Sequence, residues 1–226
     1  MPAWAQMSRP RRALGLIPAA WLAAPALLSP ALLRPASAQP VHSPWFDPTQ
    51  LPSYSGRLER WLANPAGAVD RGLFREGTQF VFPPSEGEAL MQSISPGGPI
   101  CVWGIRARSA PVVLTLAWAR ADTEPASFVE RPAWFVAKEH GRTPLRLTGR
   151  ILAPLLTPRG EGMGVIVADG GAIHLSVEAH RSLNDLLTPG EPITAEGPGT
   201  EIGGRIALEA TTLGREPGNM RPVPQR

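Results

Sequence analysis

The sequence predicts an all-β protein of two tandem five-stranded Greek-key barrels, each carrying one short helix. Three observations carry this reading. Residues 56–118 align without a gap on residues 149–211 at a constant offset of 93. The alignment matches Gly56 with Gly149, Arg57 with Arg150, Leu62 with Leu155, Gly67 with Gly160, Gly77 with Gly170, Pro96-Gly97 with Pro189-Gly190 and Gly104 with Gly197, so the chain is a duplicated small domain. Within each copy the apolar runs and turn residues follow the order strand, strand, strand, helix, strand, strand. The 27 Pro and 23 Gly of the 226-residue chain imply many short connections.

The first copy opens with a strand over 55–62 and a turn at Asn64-Pro65-Ala66-Gly67. A hairpin follows whose strands flank Glu76-Gly77, an acid-plus-glycine turn that the second copy repeats as Asp169-Gly170. After Pro83-Pro84 the period changes. Ser85-Glu86-Gly87-Glu88 has the pattern of a capping box, and Leu90, Met91 and Ile94 give a short helix an apolar stripe that ends at Pro96-Gly97. Strands over 100–106 and 112–118 close the unit. The second copy spans 147–213, with its helix over 178–187. Residues 39–55 read as an extended lead-in with an apolar plug at Trp45-Phe46, 119–146 as a linker, and 214–226 as a disordered polar tail.

That element order is the order of the OB-fold. The run Asn64-Pro65-x-Gly67-x-x-Asp70, with Glu76-Gly77-Thr78, Phe82-Pro83-Pro84, Pro96-Gly97 and Gly104, resembles exported bacterial OB-fold proteins of unassigned function, grouped as OB-fold nucleic-acid-binding-domain-like. The resemblance covers both repeats and rests on turn chemistry. Arg71 stands before Gly72 where the resembled pattern has Gly directly after the Asp, and Val81 and Ser85 flank the double proline where it has histidines.

The first 38 residues read as a Sec-type signal peptide. Arg9, Arg11 and Arg12 precede an apolar run over 13–33, and Ala36-Ser37-Ala38 supplies small residues for cleavage before Gln39. Cleavage leaves no membrane span. It also removes four of the 22 basic residues, leaving 18 against 19 acidic ones, and a mature chain near neutrality lacks the general attraction for a phosphate backbone. The lone Cys101 excludes an intrachain disulfide and a cysteine-built metal site.

No catalytic, metal or cofactor site emerges from the residues. His42, His140, His174 and His180 lack metal-ligand spacing and read as surface residues, no serine sits in a G-x-S-x-G elbow, and Gly160-Glu161-Gly162-Met163-Gly164 lacks the Lys of a phosphate cradle. The chain therefore reads as a non-enzymatic binding or scaffold protein, its partner an unidentified protein or small ligand on the first barrel.

Two-residue turns at Glu76-Gly77 and Asp169-Gly170 would place Leu73, Phe80 and Phe82, with Ile166, Ile173 and Leu175, inside the barrels. Phe74, Gln79 and Val81, with Val167, Ala172 and His174, would face out. The same alternation puts Trp61, Trp103, Ile105, Leu114, Leu116 and Trp118 on the outer face, opposite Pro154, Glu196, Pro198, Ala207, Glu209 and Thr211 of the second copy. A first barrel apolar on both faces requires a cover, expected from the linker's Phe128 and Trp134-Phe135-Val136 or from the second barrel. Candidate ligand-binding residues on this face are Arg57, Trp61, Arg71, Phe74, Gln79 and Trp103. The alternative function is single-stranded nucleic-acid binding through Arg57, Arg60, Arg71, Arg75 and Phe74. It is disfavoured because one stacking aromatic makes a poor platform.

Overall fold

The computed structural model describes residues 47–129 and 140–224. The expected leader, the expected Trp45-Phe46 plug, His42 and the Trp134-Phe135-Val136 run expected to act as a cover lie outside the described residues. The first copy comprises β1 (Ser53–Ala63), β2 (Val69–Phe74), β3 (Gln79–Val81), α1 (Gly87–Ser93), β4 (Pro99–Arg106) and β5 (Val112–Ala119). Neighbours run β3-β2-β1-β4-β5, and a parallel β3–β5 pairing closes the ring. After the two-residue β6 (Ser127–Phe128), the second copy repeats the plan. Its elements are β7 (Thr143–Leu156), β8 (Gly162–Val167), β9 (Gly171–His174), α2 (Val177–Ser182), β10 (Pro192–Ile202) and β11 (Arg205–Glu209), with β9 and β11 parallel. Both rings are OB-fold barrels.

The copies also share a strand that the sequence reading missed. β6 adds to β5, and β13 (Met220–Pro222) adds to β12 (Thr212–Gly214), which itself pairs with β10. Residues 127 and 128 become 220 and 221 at the repeat offset, so linker and tail carry the same element of the duplicated unit. The tail expected to be disordered from Gly214 is therefore a folded edge, with Val223 buried in the second core. Likewise β7 begins at Thr143, inside the expected linker.

Repeated glycines occupy positions that other residues cannot take. A Cβ on Gly104 would collide with the Leu114 carbonyl oxygen, and one on Gly197 with that of Glu209. The helices enter differently. Ser176 caps α2 by accepting the Ala179 N–H at 3.1 Å, as an N-cap serine does. Ser85 makes no such bond; a 3-10 turn over Pro84–Glu86 leads into α1 instead, because the prolines hold the chain extended up to that point.

The hairpin turns correct the expected facing of β2 and β8. Gly77 donates to the Phe74 carbonyl and Phe74 to that of Thr78, a three-residue loop with Gly77 at φ 89°. Such a loop pairs Leu73 with Gln79 and Gly72 with Phe80, one residue off the two-residue register, so the side chains of β2 change face while those of β3 keep theirs. Phe74, Phe80 and Phe82 are thus interior, while Leu73 points out. In the second barrel Val165, Val167, Ile173 and Leu175 are interior and Ile166 points out, with Gly170 at φ 96°.

Two bulges correct the tryptophans. An extra residue, Glu59, lets both Leu58 and Trp61 enter the first core, and Leu152 repeats that bulge in β7. Trp61 meets Phe80 and Phe82 edge-on at 5.7 and 5.9 Å and donates its indole N–H to the Ile94 carbonyl at 3.2 Å. Leu116 is the extra residue of β5, which turns Trp118 inward opposite Val102. Trp103 alone of the three faces out. It is 8% exposed, packed with Cys101, Ala117, Ala119 and the partly buried Ala126. The turn Pro48–Gln50 of the lead-in packs on the same two strands. Ile105, at 57% exposure, stays in solvent.

Trp103 and Glu196 are equivalent positions with opposite surroundings, since Glu196 pairs with Arg146 at a half-exposed surface. Trp103→Glu should destabilise by about 3 kcal/mol or more by burying a carboxylate without a partner. Glu196→Trp should stay within about 1 kcal/mol of wild type. Urea unfolding of both variants checks this; equal small losses would show that the Trp103 face is open.

Candidate functional site

The surface that an OB-fold ordinarily offers a strand is the outer face of its second and third strands with the adjoining loops. In this chain those faces meet each other. Leu62 and Leu73 of the first barrel form one buried cluster with Leu155 and Ile166 of the second, each pair being the other's duplicate. The loops follow the same exchange. A Cβ on Gly67, in the β1–β2 turn, would lie 2.5 Å from Ile202 Cδ1 and 3.1 Å from Thr200 Oγ1. One on the equivalent Gly160 would lie 2.8 and 3.3 Å from the Cβ atoms of Ala110 and Ala107. Each barrel's first turn therefore rests on the other's last hairpin, the pattern of a self-complementary twofold dimer within one chain.

Polar groups complete the seam. Arg71, 3% exposed, donates from Nη1 to the Leu156 carbonyl at 2.8 Å and from Nε to Asp70 Oδ1 at 3.1 Å. Gln79, 1% exposed, donates to the Pro154 carbonyl at 2.8 Å and accepts the Leu156 N–H at 3.1 Å. From the other side His174 Nε2 stands 3.2 Å from the carbonyl of Ala63, the residue equivalent to Leu156. A carbonyl only accepts, so Nε2 carries a proton. Burial and the nearby Arg71 and Arg142 guanidiniums push its pKa down to about 3. Burial raises the Asp70 carboxyl above its ordinary value despite the adjacent Arg71.

The six candidate residues do not form a site. Arg71 and Gln79 lie in the seam, Phe74 and Trp61 in the barrel core, and Trp103 on the separate β4–β5 face. Arg57 donates to the Gly97 carbonyl at 3.0 Å, and its duplicate Arg150 donates to Gly190 at 2.9 Å. A contact present in both copies is a brace of the repeat. Of the four histidines read as surface residues, His174 is buried and His180 is half-buried, accepting the Gly164 N–H on Nδ1 at 3.2 Å. Sequence reasoning missed the seam because the slipped register put Leu73 and Ile166 inside. The usable signal was the Leu62/Leu155 match, an apolar identity on the outer face of both first strands.

Among the described residues no three His, Cys, Asp or Glu side chains lie together as metal ligands, and no helix is long and apolar enough to cross a membrane. Comparison with protein-family models and with curated proteins gives no match for the chain.

His174 makes the seam sensitive to acid. Its native pKa lies below the ordinary 6.5, so the unfolded chain binds the extra proton between those values and stability falls as pH drops below 6.5. Asp70, shifted upward, acts in the opposite sense. His174→Val, the residue its duplicate carries as Val81, leaves Asp70 in place and isolates the histidine. At pH 8 the variant should be less stable by about 1 kcal/mol for the lost hydrogen bond. Relative to wild type it should then gain up to about 1.4 kcal/mol per pH unit below 6.5. Urea midpoints from pH 8 to pH 5 read this; parallel curves would remove His174 as the acid-sensitive group.

Proposed function

We propose that the chain is an exported, non-enzymatic binding or scaffold protein of the bacterial cell envelope, of the class its turn motifs resemble. The two barrels share one packed seam. The observation that carries this reading is the seam: the β1–β3 faces and the first and last turns of both barrels are occupied by each other. Binding therefore falls to surfaces other than the usual OB-fold platform. Export is supported by the basic, apolar and small-residue succession over residues 9–38.

Single-stranded nucleic-acid binding is the second reading, and the residues it needs are engaged. Arg57 and Arg71 donate to carbonyls, Phe74 is 1% exposed, and Arg60 is held by the Ala168 carbonyl at 2.8 Å and by Glu59 at 2.8 Å. Of the five, Arg57 and Arg75 are exposed. The barrels also differ in charge. Residues 56–118 hold six Arg against five acids, whereas residues 149–213 hold four against eight.

Fluorescence anisotropy with labelled single-stranded oligonucleotides should show no saturable binding at physiological salt. A tight complex with a steep salt slope would favour the second reading. Amino-terminal sequencing of the exported pool should begin at Gln39; a retained Met1 there would refute processing at Ala38.

A further inference from the structure

The duplication supplies an internal control for the two ends of the seam. At one end Val81, Val112 and Leu156 form a closed apolar cluster against Ala107 and Ala110. At the other end the equivalent positions, 93 residues away, are His174, Arg205, Ala63, Thr200 and Gly203. Ala63, His174 and Thr200 are buried there too, but Arg205 and Gly203 reach the surface. A cleft of about 490 Å³ opens there between the barrels, with Trp61, Glu59 and Arg60 on one side and Asp169, Gly204 and Arg205 on the other.

Charge in the cleft is unevenly settled. Arg60 is spent on the Ala168 and Val167 carbonyls and on Glu59. The Arg205 side chain has no hydrogen bond or ion pair within the described residues, and its Nε is enclosed without an acceptor. Thr200 Oγ1, on the paired strand opposite Ala207 and also enclosed, lacks a partner as well. Buried polar atoms without partners are uncommon in native folds, and here both occur where the other copy carries alanine or valine. A guanidinium left with open donors is a fork shaped for an oxyanion. Asp169, on the same wall of the cleft as Arg205, repels a bare anion and accepts from a donor.

We propose that this cleft binds a small carboxylate ligand that also carries a hydrogen-bond donor, the chemistry of an amino acid or short peptide. Arg205 grips the carboxylate, Asp169 takes the donor, and the Trp61 segment with the Gly203-Gly204 turn bounds the rest. The site exists once per chain because the duplicate of Arg205 is Val112, buried in the closed end. The proposal rests on the binding reading above and names a ligand class for it. Failure of the cleft leaves that reading to the oligonucleotide measurement.

The test is an NMR titration of the full chain with glycylglycine, acetate and inorganic phosphate, following the amides of Asp169, Gly170, Gly203 and Gly204 and the Arg205 side-chain resonance. Glycylglycine should give saturable shifts at these positions and bind more tightly than acetate or phosphate. Arg205→Val should weaken glycylglycine at least about tenfold, the scale of one lost charge-assisted bond. Arg205→Lys, which keeps the charge and tests the same contact should the valine variant not fold, should fall between. Asp169→Asn should remove the preference for glycylglycine over acetate. The proposal is overturned by no saturable shift with glycylglycine, by tighter binding of phosphate, or by equal affinity in the Arg205 variants.

Discussion

The fold depends on two glycines that hold a backbone conformation other residues resist. Gly77 and Gly170, at φ 89° and 96°, close three-residue hairpin loops, and the loop length sets the parity of every residue on the second and third strands of each barrel. With that parity Phe74, Phe80 and Phe82 fill one core, and Val165, Val167 and Ile173 the other. The opposite parity would bury Arg71 and Gln79 inside a barrel with no carbonyl to meet them. Leu73 and Ile166 would turn inward with Arg71, and Phe74 and Val167 would face out. The turn thus decides what the core contains and also what remains on the outer face to be covered.

What remains is enough to join two barrels. Leu62, Leu73, Leu155 and Ile166 are individually modest, each contributing roughly 1.5–3 kcal/mol when fully buried. Their arrangement matters more than their sum. Equivalent residues meet across an approximate twofold, so a single apolar face, duplicated, is its own partner. Around it Arg71, Gln79 and His174 each reach a main-chain group of the other barrel, and bonds to fixed main-chain groups specify one relative placement. The same burial that secures Gln79 and Arg71 removes them from any ligand.

Much of this fold was readable before any coordinates, because a gapless repeat rich in turn glycines constrains topology strongly. The barrel order, the two copies and the helix positions follow from it. The faces did not follow. Alternation along a strand is reliable only between bulges, and Glu59, Leu116 and Leu152 each reset it. Hence Trp61 and Trp118, read as outer residues, are core, whereas Trp103, on the near side of its bulge, was placed correctly. The candidate site failed for the same reason: it was assembled from residues on an assumed common face. His174 was misread for a different cause. A histidine without ligand spacing is usually exposed, and only the opposing barrel, distant in sequence, supplies the Ala63 carbonyl that satisfies it.

Duplication also separates what the fold requires from what it permits. Arg57 and Arg150 make the same bond, Gly104 and Gly197 relieve the same collision, and Asn64 Oδ1 and Thr157 Oγ1 both accept a main-chain N–H in the first turn. Such features belong to the barrel, and a role in recognition is not needed to explain them. Differences concentrate elsewhere. The first core is aromatic and the second aliphatic, a trade of volume that each barrel accommodates within itself. At the seam no such accommodation is available, because both copies contribute to one surface. Val112 and Arg205 occupy equivalent positions, one fully buried and the other bordering a cleft with an unpartnered nitrogen. A structural requirement alone would favour the closed, apolar solution at both ends, so the polar end is where the physics of folding leaves a residue unexplained.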